Sequence, residues 1–254
     1  MPDWIPFLTE IADEADAIAL RHFRRRDLKV DTKSNQTPVS EADLAIESAA
    51  RRIAATRHPE LGMLGEEEGA TGSTSARIIL DPIDATRNFI RGIPVFAMLI
   101  AIELEGEIVA GLVSAPALAT RWHASRGLGA WSGTRRLQVS SIGSWSDAQI
   151  FHGSLGGSEK SQWSGRIASI SARAHRDRGF GDFWQHVLIA EGAGEVALDP
   201  GVSPWDVAPL QVIVEEAGGL ATTVEGKRTI YGGSLVSSNR IMHQDALTAL
   251  TSDN

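Results

Sequence analysis

A chain of 254 residues with 43% hydrophobic and 22% charged side chains is long enough to bury one large core or two closely packed halves. Its formal net charge of −8 argues against a nucleic-acid partner, which needs a basic face, and the absence of cysteine removes disulfides, thiolate nucleophiles and iron–sulfur sites. No apolar run approaches the roughly 18 residues that span a bilayer, and the N-terminus MPDWIPFLTEIADEADAIAL lacks the basic-then-apolar order of a secretory signal. The expectation is a cytoplasmic protein with no membrane partner.

Residues 3–24 place Ile5, Leu8, Ile11, Ala12, Ala15, Ile18, Ala19 and Phe23 near helical spacing, which predicts an amphipathic helix. The polar stretch DTKSNQTPVS reads as a loop. Ser40, with Asp43 in capping-box register, opens a second helix that His58-Pro59 closes. A short apolar piece leads into GEEE at 65–68, then a Gly/Ser/Thr-rich loop and a strand from Arg77 to Leu80 that stops at Asp81-Pro82. Apolar runs at 95–103 and 108–114, parted by Glu105-Gly106, read as a hairpin. Further strands are expected at 121–125, 128–132, 137–139 and 149–152. GSLGGSEKSQWSG forms a loop into a helix at 160–172, followed by a helix at 182–191 and a strand at 194–198. WDVAPLQVIVEEAGG reads as a helix ended by Gly218-Gly219. Pro209 would have to sit in the first turn of that helix, which places Asp206 at its positive end. A soft boundary near 135 divides the chain into halves, 1–135 with most of the candidate ligands and 136–254 with Asp206.

Acids recur at element boundaries: Asp43, Glu66, Asp81, Asp84 and Asp206. Asp81 and Asp84 stand three apart, so on a continued strand they would face opposite ways. Pro82 suggests instead a helix start with Asp81 as N-cap and Asp84 at N3. That is an ordinary cap, except that a cap needs one carboxylate and this turn has two. Two convergent carboxylates with no lysine nearby repel each other unless a cation or a proton intervenes, and hard oxygen donors suit Mg²⁺ or Mn²⁺. Taken alone, Glu66 reads first as part of a solvated charge run, Asp43 as a helix-start acid and Asp206 as an acid favoured by a helix dipole.

As a set they resemble the inositol monophosphatase family of metal-dependent phosphatases. The resemblance rests on GEEE at 65–68, DPIDATRNF at 81–89 and WDVAPLQVIVEEAGG at 205–219, and extends over essentially the whole chain. It implies a layered α-β-α-β-α sandwich of mixed α/β class, a small phosphorylated substrate and a homodimer. It further implies two or three Mg²⁺ held by Glu66, Asp81, the carbonyl of Ile83, Asp84 and Asp206, with Mn²⁺ as an alternative. By the same resemblance Glu66 and Thr86 orient and deprotonate the attacking water, with Asp43 behind them. Ala85, Thr86 and Arg87 would meet the phosphate beside Asp84 and Asp206, and Arg178, Asp182 and Asp199 the organic part.

The stretches TPVSEADLAIE, NFIRGIPVFAMLIA and RGFGDFWQHVLIAEGAGEVALDP resemble the branch of the family that acts on L-histidinol phosphate in histidine biosynthesis. There Asp182-Phe183-Trp184 replaces the small residues of inositol phosphatases; Asp182 would face the substrate's amine and Trp184 its imidazole. Inositol 1-phosphate or another small phosphomonoester is the alternative substrate, and a weakly active or regulatory member the second alternative. His186 reads as a packed or solvated helix residue rather than a ligand. The family nearly always has glycine after the second aspartate of its long motif, where this chain has Ala85. A positive φ would cost alanine about 1 kcal/mol or more; the helical reading of 82–86 predicts a negative one.

Overall fold

A computed structural model describes residues 3–33, 37–156 and 161–251. In chain order the elements are α1 (Ile5–His22), β1 (Val30–Thr32), β2 (Pro38–Ser40), α2 (Glu41–Arg57), β3 (Gly62–Gly65), β4 (Gly69–Thr71), β5 (Ala76–Asp84) and α3 (Thr86–Ile90). The chain continues through β6 (Ala97–Leu104), β7 (Glu107–Ala115), β8 (Thr120–Ser125), β9 (Gly129–Ser132) and β10 (Arg135–Arg136). It ends with β11 (Gln149–His152), α4 (Ser161–Arg173), β12 (Arg176–Gly179), α5 (Asp182–Ala190), β13 (Val196–Asp199), α6 (Pro204–Glu216), β14 (Leu220–Thr222), β15 (Leu235–Ser238) and α7 (His243–Thr251).

Strands β3–β10 form an eight-stranded sheet, antiparallel except where β3 runs parallel to β5. Strands β11–β15 form a second sheet of five. The strand β6 shows how the layers arise. Its run AMLIAIEL is buried on both faces, so the period of two sorts alternate residues into different cores. Met98, Ile100 and Ile102 join α1 and α2 on one side; Ala97, Leu99 and Ala101 join α5 and α6 on the other. The helices α5 and α6 also bury Val187, Ala190 and Val214 against Ala197 and Leu235 of the second sheet. The far face of that sheet is covered by α4 and α7 through Ile167, Ile170, Ala246 and Leu250. The order is α, β, α, β, α, as the resemblance implied.

Four local readings change. The stretch 31–40 contains a two-stranded ribbon, β1 with β2, around residues 34–36, which lie outside the described residues. Residues 157–160 of the second polar loop also lie outside them. Residues 137–139 make no strand; Leu137 and Val139 instead donate singly to Ala130 and Ala217 carbonyls. Pro209 is not in the first turn, because Ser203 caps α6 and Pro204 begins it, leaving Pro209 in the helix interior. Its missing N–H leaves the Trp205 carbonyl without an intrahelical donor. Gly111 of β7 accommodates the helix there, since a Cβ on it would lie 2.8 Å from Pro209 Cα. The fourth change concerns Asp81–Ala85 and belongs to the site.

Candidate metal centre

Asp81 and Asp84 do not begin a helix. Both lie in β5, opposite Leu99 and Ala97 of β6, with a register shift between them. Pro82 and Ile83 thus occupy the space of one residue, a β-bulge, where proline's lack of an N–H is tolerated. The bulge cancels the strand alternation: Leu99 and Ala97 face α6, so both aspartates face α6, while Ile83 turns into the opposite core. The sequence pattern cannot register this extra residue. The Ile83 N–H donates to Asp81 Oδ1 at 3.0 Å, and the Ile83 carbonyl accepts the Thr86 hydroxyl at 3.0 Å.

Ala85 has φ 65° and ψ 44°, the left-handed conformation, contrary to the expected negative φ. The chain leaves a strand and enters the five-residue α3 within one residue, and a left-handed residue makes that reversal. Its carbonyl accepts from Asn88 and Phe89, so the strained residue also caps the helix.

Asp206 comes from α6. Ser203 caps that helix, and Asp206 takes the Ser203 N–H on Oδ2 at 2.7 Å. On α5 the Phe183 N–H donates to Asp84 Oδ2 at 2.7 Å. Asp81, Asp84 and Asp206 offer oxygens that all lie within 4.8 Å of one another. Burial, then the charges of Glu66, Asp84, Asp206 and Asp43, drives the Asp81 carboxyl far above the usual range. Asp84 is driven up by burial and by Asp182 and Asp206. Burial also pushes Asp206 up to about 7, against the Ser203 N–H that favours its charged form. Three such groups are held together only with protons or with a cation.

Asp43 stands behind this cluster. The capping box expected at Ser40 is formed: Asp43 Oδ2 accepts from the Ser40 N–H at 2.9 Å and its hydroxyl at 2.6 Å. Its Oδ1 is buried without a protein partner, and burial raises the carboxyl to about 6. The donors are all hard oxygens and one buried carboxylate oxygen is orphaned, so the residues fit a hard divalent cation such as Mg²⁺.

Glu66 does not belong to the tight trio. Its carboxylate is paired with Lys33 at 2.7 Å, and Lys33 also holds Glu67 at 2.8 Å. A lysine is therefore near the acids after all, brought by the β1–β2 ribbon from more than thirty residues upstream. Glu67 is raised to about 7, chiefly by burial.

On the far side of Asp84 a small cleft of about 60 Å³ is lined by Asp182, Phe183, His186, Asp199 and Asp206, among others. Asp182 has a positive φ of 52°, which sets it beside Asp84 at the head of α5. Asp199 is buried at the end of β13. Neither Arg87 nor Arg178 lines this cleft: Arg87 is exposed on α3, and Arg178 is exposed on the edge strand β12, with Nη1 on the Asp177 carbonyl at 2.7 Å. Trp184 meets Phe180 edge to face at 5.3 Å and leans on the core. A larger open hollow beside Asp16, Ser114 and Arg121 contains none of the clustered acids, and its Arg121 is already paired with Asp13 at 2.6 Å.

Two further features shape the surroundings of the site, the second of which the sequence reading missed. The His186 Nδ1 lies 2.8 Å from Ser237 Oγ, and its Nε2 lies 3.2 Å from Gln185 Nε2. The Gln185 amide nitrogen also approaches the Leu198 carbonyl and Asp199, so it must donate. His186 therefore accepts on Nε2 and carries its proton on Nδ1. Burial pushes it down to about 3, which keeps it neutral in the cleft wall. The second feature is Glu47, fully buried on α2, which accepts the Glu67 and Glu68 N–H groups at 2.8 and 3.0 Å. Its spacing of four from Asp43, one helical turn on the same face, was the available signal.

The chain belongs to the inositol monophosphatase family, whose sequence profile matches residues 2–253. It is 43% identical over 246 residues to a histidinol-phosphatase of Mycobacterium tuberculosis, covering 94% of this chain and 95% of that one. It is 31% identical to an inositol-1-monophosphatase of Mesorhizobium japonicum, covering 89% and 87%. Among solved structures, the extragenic suppressor protein suhB of Bartonella henselae superposes with a TM-score of 0.93 at 28% identity, covering 98% and 99%.

Proposed function

We propose that this protein is a phosphatase that hydrolyses L-histidinol phosphate to L-histidinol and phosphate with the aid of divalent cations. The carrying observation is the carboxylate pair Asp182 and Asp199 in the cleft beside Asp84. The ammonium of an amino alcohol complements the charge of this pair, whereas a polyol brings only hydroxyl donors to the same oxygens. The greater identity to a histidinol-phosphatase than to an inositol-1-monophosphatase supports the same choice.

Asp81, Asp84, Asp206, Glu66 and the Ile83 carbonyl would hold two or three Mg²⁺, or Mn²⁺. Bound cations supply Lewis acidity and a water of lowered pKa. Glu66 and Thr86 orient the attacking water, and Asp43 fixes the helix behind them. The amides of Ala85 and Thr86 receive phosphate oxygens, with Arg87 at the outer edge. Asp182 and Asp199 hold the organic part, and Arg178 is the further substrate contact of this reading. In this reading the first 135 residues bring most of the cation ligands, and the rest bring Asp206 and the specificity residues. We also assign the protein to histidine biosynthesis in the cytoplasm, as a homodimer, which light scattering would check.

The test is phosphate release with Mg²⁺ from histidinol phosphate and inositol 1-phosphate side by side. A preference for the inositol ester would overturn the assignment. One observation favours a second reading, a weakly active or regulatory protein: the left-handed Ala85 between Asp84 and Thr86. Absence of turnover on both esters would select it.

A further inference from the structure

We infer that Glu47 is a positioning residue for Glu66, locking the 65–68 turn in the place from which the Glu66 carboxylate reaches the cation site. The inference rests on the assignment of Glu66 as a ligand. Three contacts define the lock. On the sheet side, the Glu66 N–H donates to the Leu80 carbonyl at 3.1 Å, next to Asp81. On the helix side, the Glu47 carboxylate takes the next two amides, from Glu67 and Glu68. Arg51, one turn further along α2, closes the lock with Nη2 and Nε on Glu47 Oε1 at 2.6 and 3.1 Å. The same guanidinium reaches the Gly69 carbonyl at 2.8 Å and Thr71 Oγ1 at 2.9 Å, which ties the β4 flank of the turn to α2.

Gly65 shows how closely the carboxylate is seated. A Cβ at that position would fall 2.1 Å from Glu47 Oε1, so no other residue leaves the acid room. Two consecutive N–H groups, both at a turn and both facing a buried acid, leave Glu66 only its own side-chain rotations. Those rotations would carry its carboxylate from Lys33 toward the aspartates when a cation binds. A neutral amide at 47 would set an NH₂ against an N–H donor or against Arg51. The turn would then loosen without any ligand having been removed.

The experiment is a Mn²⁺ titration by calorimetry on the full chain, wild type against Glu47→Gln and Gly65→Ala. Both variants should bind Mn²⁺ about 10–100-fold more weakly, the usual effect of removing an outer support of a ligand. Both should melt below wild type without metal but in a single cooperative transition, since each disturbs a buried contact. At saturating metal, KM for the phosphate ester should stay within about twofold of wild type, since Glu47 does not line the substrate cleft. A folded Glu47→Gln that binds Mn²⁺ as tightly as wild type overturns the inference. If that variant does not fold, Glu47→Asp decides by the same criterion, and failure of all three to fold overturns it too, because the acid then holds the fold and not the turn. Should wild type itself bind no Mn²⁺, the failure lies with the cation-site reading.

Discussion

Replacing Ala85 by glycine measures what the left-handed turn between Asp84 and Thr86 costs. At φ 65° an alanine Cβ carries roughly 1–2 kcal/mol of strain that glycine does not. Two effects oppose the relief. Glycine's greater freedom in the unfolded chain costs about 0.5–1 kcal/mol. The half-buried Ala85 methyl, packed against the Phe89 core, contributes roughly half of the ~0.8 kcal/mol of a buried methylene. The Ala85→Gly variant should therefore lie within about 0.5 kcal/mol of wild type, on the stable side, when urea unfolding is followed without metal. Ala85→Val, branched at Cβ and held at the same φ, should lose about 1–3 kcal/mol. A loss of 1 kcal/mol or more for the glycine variant would refute the reasoning, because that is the result expected at negative φ, where only the two opposing effects act. If the turn shapes the phosphate grip, the glycine variant should also turn over histidinol phosphate at least as fast as wild type.

Asp84→Asn and Asp206→Asn should each lower turnover at least about a hundredfold. Each should also raise the melting temperature of the metal-free protein while abolishing the rise that Mg²⁺ gives wild type, since one like charge leaves the cluster. With a chelator present, stability should fall as pH rises from about 4 to 7. Asp43 and Asp206 titrate near 6 and 7 when folded and in the ordinary carboxyl range when unfolded, so the folded state holds more protons across that window. Thermal melts at stepped pH check this, and Mg²⁺ should bind more tightly at pH 8 than at pH 6 because fewer protons must leave. Gly111→Ala should cost about 1–3 kcal/mol in the same unfolding assay, because its Cβ would lie 2.8 Å from both Pro209 Cα and Val212 Cγ1.

Much of this protein is readable without its fold. The helix at Ser40, the hairpin around Glu105-Gly106 and the buried strand β5 follow from caps, turn residues and apolar runs, all of which are local. The acids that gather, Asp81, Asp84 and Asp206, were identifiable from their motifs before their distances were known. Three things were decided only by tertiary structure. The bulge at Pro82-Ile83 is a matter of register against β6, and register belongs to a pair of strands. The sign of φ at Ala85 follows from where the chain must go next, from sheet into α3, and alanine itself prefers the opposite sign. Lys33 and Glu47 meet the GEEE turn because a ribbon and a helix pack on it. Sequence carries which residues are acids and which runs are buried, because hydrophobicity and charge are properties of single residues. How far apart two carboxylates end up, and whether a lysine or a cation answers them, depends on contacts between segments far apart in the chain.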